Sequence, residues 1–122
     1  MAVTVTNQSN PLGAKLVQDT SASNSAVDHT TGASGTLYMI EIDNTAGGAT
    51  AVYFKMADST NATAGTTAAD LCLLVPAGVK QAYAFPTGIA FSNGFRHWCV
   101  TGAAESNTTA PDAAVIARYV TS

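Results

Sequence analysis

Asn93-Gly94 stands between two short apolar runs, residues 88–92 and 95–101, and no other feature constrains the fold so tightly. Both central residues of a type I′ turn need positive φ, which Asn-Gly supplies, so the dipeptide predicts a β-hairpin. The same pattern recurs along the chain. Residues 37–42 set Tyr38, Ile40 and Ile42 on one face and stop at Asp43-Asn44. After Gly47-Gly48, residues 51–56 set Val52, Phe54 and Met56 against Lys55, and the two runs read as an antiparallel pair. Residues 71–75 are continuously apolar, which predicts burial on both faces, and Pro76-Ala77-Gly78 ends them. Near the end, Val115, Ala117 and Tyr119 alternate with Ile116, Arg118 and Val120. No stretch keeps a helical period over a useful length. Short strands at regular spacing between Gly, Pro and Asn turns predict a sandwich or barrel.

Residues 1–35 read differently from residues 36–122. A short alternation at 3–6 and the turn Asn10-Pro11-Leu12-Gly13 lead into a Ser/Thr/Asn/Ala tract. Its few apolar anchors are Leu16, Val17 and Val27. Such a segment builds no core alone. It is an extended arm ordered against a neighbour, or a first strand or two with long loops. The rest of the chain is also lean. Leu, Ile, Val and Phe supply 24 of 122 residues, and only 11% of residues are charged, against about 25% in an ordinary soluble domain. A thin core under an uncharged surface suits a subunit that covers itself with copies or with a larger assembly.

Composition also excludes. Five scattered basic residues and a net charge of -3 give no phosphate-binding patch, so nucleic acid is not an expected partner. No window is long and apolar enough to predict a membrane span, and the first residues lack the basic and apolar regions of a secretory signal, so synthesis in a cytoplasm is expected. Cys72 and Cys99 lie in apolar runs and are expected as core thiols rather than a bridge. Asp43, Asp58 and Asp70 each border a strand, where Asp is a turn former, and no metal or cofactor site is expected. His29 and His97 have no Gly-x-Ser-x-Gly elbow to serve, and no enzyme activity is expected. Arg96, Trp98 and Val100 share one strand face. That face is a contact surface, or Trp98 is the largest core residue with Arg96 at its rim.

The order of these pieces resembles a group of small structural proteins of tailed bacteriophages, the marine and cyanobacterial phages in particular. The resemblance is carried by residues 37–44, 52–58, Gly65-Thr66-Thr67, Val75-Pro76-Ala77, residues 85–94 and 100–102, and residues 107–111. It implies an all-β, antiparallel, jelly-roll-like β-sandwich with an extended N-terminal arm. It further implies a virion subunit assembled in the host cytoplasm, most simply a capsid decoration protein bridging capsomers. A tail or head-to-tail subunit, including a receptor-recognition module, is the alternative. The implied partners are the major capsid protein and further copies of the chain, a trimer among the symmetric choices. Val3, Val5, Leu12, Leu16, Val17, Arg96 and Trp98 are the expected interface residues.

Overall fold

A computed structural model describes residues 3–7, 15–28, 34–46 and 50–122. Nine strands form there: β1 Val3–Asn7, β2 Lys15–Ala22, β3 Val27–Asp28, β4 Gly35–Asp43, β5 Val52–Asp58, β6 Leu71–Val75, β7 Lys80–Phe91, β8 Phe95–Val100 and β9 Val115–Thr121. They make an antiparallel β-sandwich. One sheet, here sheet A, has the order β1-β2-β9-β4-β7, and sheet B has the order β3-β8-β5-β6. The pairing is nested: β5 with β6, β4 with β7, β3 with β8, and β2 with β9. Of the two readings of residues 1–35, the described part forms strands, with Val17 and Ala22 in the core.

Period-two alternation builds the interior. In β9, Val115, Ala117, Tyr119 and Thr121 point inward and are all buried. Across the gap, Val52, Phe54 and Met56 of β5 meet Leu37, Ile40 and Ile42 of β4 in one apolar cluster. Leu37 and Ile40 are out of step for simple alternation because a register shift lies between Leu37 and Met39. There Ile89 pairs with Leu37 and Ala84 with Met39, so β7 spends three more residues than β4. Pro86 sits in that excursion, and Gly88 turns it with φ 75°. A Cβ on Gly88 would lie 2.2 Å from Thr36 Cγ2, so only glycine fits.

Three local expectations are corrected. Asn93-Gly94 is not the tip of a hairpin, because β7 belongs to sheet A and β8 to sheet B. Gly94 does take a positive φ of 102°, but it carries the chain between sheets, and Phe91 and Phe95 both turn into the core with ring centroids 4.9 Å apart. Residues 37–42 and 51–56 do not pair either. Asn44, fully buried, donates from Nδ2 to the carbonyls of Thr50 and Pro76 at 3.0 and 3.1 Å, and so pins the crossover that sends β5 into the other sheet. Finally, β6 is buried on one face only. As an edge strand it turns Leu74 outward, 47% exposed, and the Tyr83 hydroxyl donates to the Leu74 carbonyl at 2.9 Å.

The inter-sheet turn at 93–94 is held by one carboxylate. Asp58, the last residue of β5, accepts from the backbone N–H groups of Ser92 at 3.0 Å and Asn93 at 2.8 Å. Burial alone would raise its pKa, but these bonds outweigh it and hold the carboxyl below its ordinary 3.8. A lowered folded-state pKa gives stability that is present above 3.8 and lost as pH falls through the folded value. Asp58→Ala is therefore expected to cost about 1–2 kcal/mol at neutral pH. The gap between the melting temperatures of wild type and variant should narrow in scans below pH 3.8; a pH-independent gap would contradict this role.

Candidate functional site: an open sheet face

The two outer faces of the sandwich are built differently. On sheet B, β8 points Trp98 and Val100 away from the core, and loops cover them. Ala57, Ala62, Trp98 and Val100 form a second buried cluster, with Tyr53, Ala64 and Ala69 packed against it. Trp98 is 1% exposed, and its indole N–H has no hydrogen-bond acceptor among the described residues. Lys55, expected on a polar outer face, is buried beside it at 2% exposure and donates from Nζ to the Ala104 carbonyl at 2.8 Å. The loops at 59–70 and 101–114 are thus a lid on sheet B.

Sheet A carries no such lid among the described residues. Cross-strand register places Thr4, Gln18, Arg118, Glu41 and Ala82 in one outward row. In that row Arg118 donates from Nη1 to Glu41 Oε1 at 3.1 Å and from Nε to Gln18 Oε1 at 3.3 Å, and Lys80 Nζ lies 3.8 Å from the same Glu41 oxygen. The next row is apolar: Leu16, Val120, Met39 and Ala84, flanked by Thr6. A depression of about 100 Å³ lies between the rows, lined by Leu16, Met39, Glu41, Arg118 and Val120. The apolar row continues past Met39 into a hollow of about 280 Å³ bounded by Tyr38, Ala84, Phe85 and Pro86. The result is a strip of apolar side chains from β2 to β7, half-buried at Leu16, Val120 and Met39 and exposed at Ala84, bordered by one ion-pair network. Flat, weakly charged and apolar at its centre, it suits a protein partner better than a small molecule.

The chain's most chemical-looking group is elsewhere, inside the core. His97 of β8 faces Asp19 of β2 and Tyr119 of β9, with Nε2 2.8 Å from Asp19 Oδ2 and Nδ1 3.1 Å from the Tyr119 hydroxyl. Phe54 stacks on the imidazole at 5.3 Å, and Asp19 Oδ1 also accepts from the Ser21 N–H at 3.0 Å. An ionised carboxylate only accepts, so Nε2 carries the proton of its bond, while the Tyr119 hydroxyl can match either state of Nδ1. None of the three side chains is more than 1% exposed, so no substrate reaches them in this conformation. The trio joins sheet A to sheet B. Among the described residues no three His, Cys, Asp or Glu side chains gather as metal ligands. Asp43 caps a turn through Thr45, and Asp70 accepts from the Asp58 N–H at 2.7 Å.

The expected interface residues divide. Leu16 lies in the apolar strip, while Val3 is half-buried and Val5 is 44% exposed on β1. Arg96 is half-buried on sheet B. Val17 and Trp98 are corrected: Val17 points into the sandwich at 0%, and Trp98 lies under the loops, so neither presents a side chain at the surface of the chain. Leu12 and His29 lie outside the described residues. Sequence reading missed Met39, Val120 and Arg118 as a shared strip, because their strands are about 80 positions apart and only the β9 insertion unites them. Asp19, in a Ser/Thr tract, gave no signal of its pairing with His97.

Comparison of the chain with protein-family models, with curated proteins and with solved structures finds no match.

Two measurements check the interior. Removing one partner of this buried hydrogen bond leaves the other's polar atom unsatisfied, so His97→Leu and Asp19→Leu should each cost about 1–3 kcal/mol in urea unfolding. The double variant should cost less than their sum by about 1–3 kcal/mol; additive costs would mean the contact is energetically idle. Both cysteines are free thiols, but of the two expected in the core only Cys99 is there: Cys72 points outward from the edge strand β6, whereas Cys99 is pushed up to about 12 by burial first and by the Asp19 charge second. A chromogenic disulfide reagent should therefore titrate one thiol in native protein and the second only after denaturation.

Proposed function

We propose that the chain is a non-enzymatic structural subunit of a tailed-bacteriophage virion, a decoration protein that seats on the outer surface of the capsid and bridges neighbouring capsomers. The observation that carries this reading is the one-sidedness of the sandwich. Sheet B is closed by its own loops, while sheet A offers an apolar strip with a fixed ionic border. A subunit with one finished and one unfinished face is suited to plating onto a larger surface. The nested pairing of β2 to β9 supports the jelly-roll reading, since that fold is a long hairpin rolled into two sheets and is common in viral capsid domains. The low charge and thin core agree with stability gained on assembly.

Recognition of a host receptor through the polar loops is the weaker reading. Ala62, Ala64 and Ala69 of one loop and the Ala104 carbonyl of the other are engaged in covering Trp98 and Lys55. Purified protein is expected to bind shells assembled from the cognate major capsid protein, in fixed stoichiometry and on the outside in a reconstruction. Met39→Glu, placed in the strip, should abolish binding while leaving the melting temperature nearly unchanged. Absence of the protein from shells, with recovery on isolated tails instead, would reassign it to the tail.

A further inference from the structure

Each sheet has two edges, and three of the four are guarded. β7 carries Lys80, Pro86 and the Gly88 kink. β3 is two residues long, and on β6 the Leu74 carbonyl is already taken by the Tyr83 hydroxyl. Charges, prolines, bulges and short length are the usual protections of an exposed strand edge. β1 has none of them: it reads Val-Thr-Val-Thr-Asn and runs in unbroken register with β2. Among the described strands β2 is its partner, which leaves its other edge open. Its side chains are unfinished too. Register with Val17 and Asp19 puts Val3 and Val5 on the inner side of sheet A. Sheet A has one strand more than sheet B, however, and Val5 is left 44% exposed.

We infer that β1 is the seat of a two-fold dimer, in which β1 of a second copy adds antiparallel and the two five-stranded sheets join into one. Pairing all five residues puts the axis through Val5, so that Val5 faces its twin, Thr4 faces Thr6 and Val3 faces Asn7. This even offset keeps the valines of both copies on the inner side, where each Val5 covers the other. No charged residue lies on β1, so no like charges meet across the axis. The strand is thus its own complement, in length, in charge and in the alternation of Val with Thr, and a second copy satisfies it fully. The inference stands independently of the virion reading, since it concerns the edge of sheet A and not its outer face.

The test uses the full chain carrying Cys72→Ser, to remove the exposed native thiol. Light scattering across a concentration series is expected to show the mass doubling, and Val5→Lys should return it to the monomer with circular dichroism unchanged and a melting temperature that no longer rises with concentration. Directly opposed residues bring their Cβ atoms about 4.5–5.5 Å apart, near enough for a disulfide after small adjustment. Val5→Cys should therefore cross-link to its twin under mild oxidation, whereas Thr4→Cys, which faces Thr6 across the axis, should not. A chain that stays monomeric at every concentration, a dimer indifferent to Val5→Lys, or equal cross-linking from both positions would overturn the assignment.

Discussion

The contact that most determines how the two sheets sit on one another is the bridge from Asp19 through His97 to Tyr119. Apolar surfaces attract without direction, so the apolar cluster between the sheets leaves their offset weakly specified. Hydrogen bonds have direction. With Asp19 and Tyr119 on adjacent strands of sheet A and His97 on sheet B, the imidazole is held at both ring nitrogens, and its face is stacked on Phe54. Satisfied on all sides, the group escapes the penalty of burial that an unpaired polar side chain would carry. Once this offset is set, Phe54 meets β4 and the turn at Asp58 closes the corner between β7 and β8.

The outer faces show two solutions to the same problem. A sheet of alternating residues must place half its side chains away from the core, and this chain has few charged residues to spend on them. Sheet B solves this by folding its own loops over Trp98 and the stem of Lys55. On sheet A, Arg118 and Glu41 supply the polarity for one row, and the row beside it stays apolar.

Most of the strand content was legible in the sequence, because alternation and turn residues are local. The all-β class, β9 as a strand and the grouping of Val115, Ala117 and Tyr119 on one of its faces follow from period two, though not which face is inner. Partnership was not legible. Asn93-Gly94 has the same chemistry whether it closes a hairpin or crosses between sheets, and the difference lies in Asp58, far away in sequence. The apolar run in β6 looked central, yet it sits at an edge because its neighbours are decided by the whole topology. Burial of Lys55 was equally hidden, since it depends on a carbonyl from residue 104. Of the candidate surface, only Leu16 was named from sequence, by its isolation as an anchor in a polar tract.

Nested pairing also spreads the strand partners over very different distances along the chain. The innermost hairpin, β5 with β6, closes a short loop, whereas β2 waits for β9, about 100 positions further on. Because β9 is inserted between β2 and β4, sheet A cannot close until the last strand arrives. Until then β2 and β4 each present an unsatisfied edge to the solvent. Pairing over such long separations gives a high contact order, which goes with slow folding. The incomplete molecule is exposed to wrong pairings for longer than a protein whose neighbours in space are neighbours in sequence.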